Sequence, residues 1–166
     1  NGLADVLWYV PGAGRESIWF HRGGPDGTTG HRTTTMHVNA TYEVLVGNLA
    51  GNEVRDEIFF HGSGGAADYL WTFEADGRHR SLPRTTATEG RAVVLGGPRD
   101  LVLTWGSGSP RVGRYDGPAP VVEPTGNTAV ALGATPAVGG FTGPGDRDSL
   151  VWPTAGAGPD PFWVRP

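Results

Sequence analysis

The chain of 166 residues carries 28 Gly and 14 Pro, about a quarter of its length, and every one of its 13 cations is Arg. Strong helix formers are too sparse to outweigh so many turn residues, which excludes a helical bundle. A net charge of -4, no cysteine, and no apolar run near the roughly 20 residues of a membrane span exclude a basic nucleic-acid surface, disulfides, thiolate metal sites and a spanning helix.

What remains is an all-β chain of many short strands, with six Trp, six Phe and four Tyr to build a core. The opening, Asn1 and Gly2, has no initiator Met, basic region or signal core, and reads as a mature or excised piece of something longer. Asp5 introduces a short aromatic strand, Pro11 to Gly14 form a turn, and Glu16 introduces a second strand closing on Trp19. A Thr-rich extended stretch (32–38) and another strand (42–46) follow. The pattern then returns: Asp56 with strand 56–60, a Gly-rich turn at Gly62 to Gly65, and Asp68 leading to Trp71. It returns again from Asp100 through Gly106 to Gly108 and on to Tyr115, and once more from Asp148 through Gly156 to Gly158 and on to Trp163.

The closing aromatic follows each of these aspartates by 14 or 15 residues, and the aspartates are 44 to 51 residues apart. That period is close to a four-stranded propeller blade. Small residues recur before three of the aspartates, as at Gly47, Gly96 and Gly139, where a crowded centre leaves little room for side chains. The third repeat departs most, with Arg114 and Tyr115 where the others have an apolar residue and Trp. The predicted fold is a β-propeller of about four repeats of four antiparallel strands, near 1–46, 47–95, 96–138 and 139–166, in a single partial domain whose first and last blades are incomplete. Complete blades are expected near 42–88 and 91–125.

The segments 140–150 and 47–58 resemble FG-GAP or VCBS-type repeats, whose loop runs G-D-F-D-G-D-G-x-x-D-[DI]-[IL] before an aromatic strand, a Gly-rich turn and a Leu-Trp strand. This superfamily includes the integrin head and many secreted bacterial proteins, and the Arg-only, Gly-, Ala- and Pro-rich usage is similar to that of actinobacterial proteins. The resemblance implies a secreted or cell-surface recognition module. Its loop aspartates bind calcium in the family, because a hard cation wants several oxygen ligands on one tight turn. Here the second loop offers Asn48, Ala50, Asn52 and Asp56, so the weak calcium candidates are Asn48, Asn52 and Asp56, and the expectation is no cofactor. The retained aspartates read as turn residues bonded to nearby backbone amides.

No nucleophile elbow, zinc-protease or phosphate-loop motif occurs, and the Gly-x-Gly pairs sit between strands. The five histidines, three in His-Arg pairs (His21, His31 and His79), read as solvent-facing strand residues. Glu16, Asp68 and Asp160 recur three residues before the closing aromatic, which suits a structural hydrogen bond better than acid-base chemistry. By the same recurrence Trp19, Trp71 and Trp163 read as packing between blades.

Trp8, Tyr9, Phe60, Trp105 and Trp152 lie on the other hairpin strand, where alternation sends neighbours to opposite faces. They are the candidate platform for a sugar ring. The sequence thus points to a non-catalytic recognition or adhesion module with carbohydrate as ligand, the alternative being an assembly domain with no small ligand. The expected partner is another polypeptide that completes the open blades.

Overall fold

The computed structural model describes residues 4–23, 29–51, 55–62, 66–74, 76–84, 90–96, 99–106, 109–115, 121–125, 134–140, 149–153 and 162–163. They contain fourteen strands and no helix. All pairings are antiparallel, and each sheet is a meander in chain order. Among the predicted turns, residues 11–13 do turn, with Gly12 at φ 92°. The loops at residues 63–65, 107–108 and 156–158 lie outside the described residues.

The chain forms two compact units, residues 1–42 and 43–166. The first holds one sheet of β1 (Val6–Trp8), β2 (Glu16–Gly23) and β3 (Thr29–Met36). Alternation sorts its side chains cleanly. Ile18, Phe20 and Met36 are buried on one face, with Arg32 over the Phe20 ring at 4.8 Å. Val6, Trp8 and Trp19 on the other face are exposed. Glu16 is buried, and its Oε2 accepts a 2.8 Å hydrogen bond from the Val38 amide, so the acid ties down the segment leaving β3. Asp5 likewise accepts from the amide of His21.

The second unit holds three sheets: β4 (Glu43–Gly47) to β7 (His79–Arg84), β8 (Gly90–Leu95) to β11 (Val121–Pro124), and the three-stranded β12 (Ala137–Gly139) to β14 (Phe162–Trp163). Within the first of these, β5 is Glu57–His61 and β6 is Asp68–Phe73; within the second, β9 is Leu101–Gly106 and β10 is Arg111–Arg114; in the third, β13 is Ser149–Val151. The sheets pack in series. Leu45, Phe59, Leu70 and Leu82 face one another across all four strands of β4–β7, forming one apolar row. That row packs on Ala92, Val94, Val102 and Tyr115 of the next sheet and segment. The opposite face of β8–β11 presents Leu95, Leu101, Leu103 and Trp105, which pack on Leu150 and Trp152. Both faces of the central sheet are therefore covered, and every residue of 101–105 is buried. Truncating a core residue such as Leu70 to Ala should cost about 2–5 kcal/mol.

Carboxylates link these sheets at their edge strands β4 and β8. Asp100 Oδ2 accepts from the Asn48 amide at 2.9 Å, and the Asp100 amide donates to the Asn48 carbonyl. The retained aspartate thus bonds a backbone amide 52 residues away, in the neighbouring repeat, where a nearby amide was expected. Glu43 Oε2 accepts from the Ala92 amide on the adjacent sheet, and Arg91 Nε donates to its other oxygen. Gly47 is small because a Cβ there would stand 2.6 Å from Asp100 Oδ2 and 3.1 Å from Val94 Cγ1. Asp68 accepts from the Gly62 amide and meets the ring of His61. Asp160 lies outside the described residues.

Candidate functional site

The most distinctive surface is the exposed face of β1–β3. Trp8 and Trp19 sit diagonally across β1 and β2, with ring centroids 5.4 Å apart and planes 57° to one another. Trp19 then stacks on His31 of β3 at 4.9 Å and 24°. Trp8 is 52% exposed and Trp19 38%. Val6 adds to this apolar strip, and Thr33 and Thr35 present exposed hydroxyl-bearing residues beside it. Two neighbouring tryptophans left in water are a departure from the usual burial of such residues.

The same ladder exists a second time. Val6 faces Trp19 as Ile58 faces Trp71, and Thr33 faces Trp19 as Ser81 faces Trp71. By that register Phe60 corresponds to Trp8 and His79 to His31. The geometry agrees: Phe60 and Trp71 are 4.6 Å apart at 60°, and Trp71 stacks on His79 at 4.2 Å and 28°. There, however, Phe60 is only 1% exposed and Trp71 6%. Trp71 Nε1 also donates to Ser81 Oγ, so its polar edge is satisfied where the indole is buried. Burial lowers the pKa of His79 below the ordinary imidazole value of 6.5.

In the third sheet the corresponding position is Gly113, opposite Val102. The Tyr115 ring covers it and packs on Phe59 at 4.9 Å. Burial, reinforced by the nearby Asp68 carboxylate against the pull of Arg84, pushes the Tyr115 phenol far up. In the fourth sheet the position is Trp163, in register with Leu150, and its side chain lies outside the described set.

These placements correct part of the sequence reading. Phe60, Trp105 and Trp152 are buried, so they offer no platform; Trp105 lies in the central sheet, which is covered on both faces, and Trp152 packs against that sheet. Trp105 Nε1 instead donates to the Ala134 carbonyl. Tyr9 is half-buried, and its hydroxyl donates to the Ala40 carbonyl while accepting from the Tyr42 amide. Of the five aromatics predicted as a platform, Trp8 alone is exposed, and its partner on the surface is Trp19. His61 is not a solvent-facing histidine. It is buried, with Nδ1 3.0 Å from Asp68 Oδ1 and Nε2 3.2 Å from the Gly90 carbonyl oxygen.

Of the calcium candidates, Asn48 has its backbone amide and carbonyl engaged by Asp100, Asp56 is exposed, and Asn52 lies outside the described residues. Among the described residues no three His, Asp or Glu side chains gather as a metal would need. His31 and His79 were visible as His-Arg pairs, but not as partners of Trp. They follow Trp19 and Trp71 by twelve and eight residues, because the two hairpins differ in length.

No family model, curated protein or solved structure matches this chain.

Proposed function

We propose that this chain is a non-catalytic recognition module built as part of a β-propeller of FG-GAP or VCBS-type repeats, acting outside the cell, and that the Trp8–Trp19–His31 face of β1–β3 is its recognition surface. One observation carries the reading: the same aromatic ladder is buried in the β4–β7 sheet and exposed in β1–β3. A ladder that elsewhere serves as a packing surface is suited to bind a flat, apolar protein surface. This favours assembly or protein recognition over a small ligand. Propeller architecture is supported by the four-stranded meanders, their serial face-to-face packing and the close approach of β4 and β8 at Gly47. The extracellular setting rests on the family resemblance alone.

Carbohydrate is the second reading. It is favoured by Trp8, whose indole is half in water beside the exposed Thr33 and Thr35. Changes in tryptophan fluorescence on adding chito-, cello- and galacto-oligosaccharides test it. A saturable change abolished in Trp8→Ala favours the sugar, while silence across all three with retained binding of a protein partner favours assembly. Loss of neither interaction on replacing Trp8 and Trp19 together would show that this face recognises nothing.

A further inference from the structure

The exposed ladder has a counterpart at the other end of the repeat series. In the β4–β7 sheet the row Leu45, Phe59 and Leu70 lies on the face opposite the ladder, and it covers the ladder-equivalent face of the next sheet, at Val102 and Tyr115. In β12–β14 the corresponding register positions are Ala137, Val151 and Phe162. The correspondence is fixed by three matches: Gly47 opposite Glu57 and Gly139 opposite Ser149; Val46 opposite Ile58 and Val138 opposite Leu150; Ile58 opposite Trp71 and Leu150 opposite Trp163. The Val138 and Leu150 face of this last sheet packs on Leu101, Leu103 and Trp105, so Ala137 and Val151 belong to its other face. Ala137 is exposed and Val151 half-buried.

We infer that the partner of the β1–β3 ladder is a second copy of this chain, seated through the Ala137 and Val151 face of its β12–β14 sheet. The inference rests on the ladder face being a recognition surface, and it names what covers it. The mode of packing is the one that the chain already uses internally, where the Leu45–Phe59–Leu70 row of one sheet closes the ladder-equivalent face of the next. The two surfaces differ, so the contact is head-to-tail: each copy offers one row and one ladder. Such a contact consumes one row and one ladder of two different copies.

Sedimentation velocity on the full chain over a range of micromolar concentrations, with Trp8→Glu and Ala137→Arg as variants, decides it. Both positions are exposed, so the variants should keep the far-ultraviolet circular dichroism of the parent. The parent is expected to associate as concentration rises. Each variant alone should be monomeric, its apparent Kd raised by about 100-fold or more. An equimolar mixture of the two should recover association and stop at a dimer, because each retains one intact surface. A parent that stays monomeric throughout overturns the inference, as does association that Ala137→Arg leaves unchanged. A monomer that binds an added oligosaccharide through Trp8 overturns this inference while leaving the recognition role of the face intact.

Discussion

The ring of Tyr115 fills the space above Gly113 that the Trp71 indole fills in the neighbouring sheet. A Cβ on Gly113 would stand 2.7 Å from Tyr115 Oη and 2.8 Å from its Cε2. Gly113 faces Val102 as Trp71 faces Ile58, so a Gly and an aromatic two residues later do the work of one Trp. Tyr115→Ala should cost about 3–5 kcal/mol, as loss of a buried aromatic does. Gly113→Ala should cost about 1–3 kcal/mol by forcing that ring outward. Urea unfolding measures both, and values below about 0.5 kcal/mol would show that the ring does not pack there.

Asp100 and Asn48 contribute two hydrogen bonds to the junction between the β4–β7 and β8–β11 sheets. Asp100→Ala leaves the Asn48 amide without its acceptor beside a crowded Gly47, and should cost about 1–3 kcal/mol. Asp100→Asn keeps an acceptor oxygen and should lose less. If the two variants lose equally, the hydrogen bond to the amide is not what Asp100 contributes.

The repeat was legible because Asp and a closing aromatic recur at a nearly fixed separation, and the hairpins followed from it. The faces were not. Ile58, Phe59, Phe60 and His61 are all buried, on both faces of their strand, whereas Val6 and Trp8 on the matching strand are exposed. Which strand alternates depends on what lies against the sheet, and that information is absent from local sequence. The buried His61 is hidden for the same reason: its partners, Asp68 and the Gly90 carbonyl, lie 7 and 29 residues away.

Burial separates the two ladders energetically. Trp71→Ala should cost about 3–5 kcal/mol. Trp8→Ala in a dilute, monomeric sample should change stability by no more than about 0.5 kcal/mol. Equal losses at the two positions, read from the same denaturant titration, would contradict the difference in exposure.

His79 gives the fold a dependence on pH. Burial against Trp71 holds its imidazole below the ordinary value of 6.5, so near that pH the unfolded chain binds the proton more readily than the folded one. Its contribution to stability is therefore present above 6.5 and is lost as pH falls through that value toward the lower folded one. His79→Phe keeps a ring on Trp71 and removes the titration. The variant should lose less stability than the parent on acidification across this window, and parallel melting curves for the two would contradict the assignment.

The central claim is that the β1–β3 ladder is a packing surface awaiting a partner sheet. Hydroxyl-radical footprinting with mass spectrometry, at low and high protein concentration, reads it side chain by side chain. Trp71, Trp105 and Trp152 should be protected at both concentrations, and Trp8 and Trp19 should be oxidised when dilute and protected when concentrated. Equal oxidation of Trp8 and Trp19 at the two concentrations would contradict it.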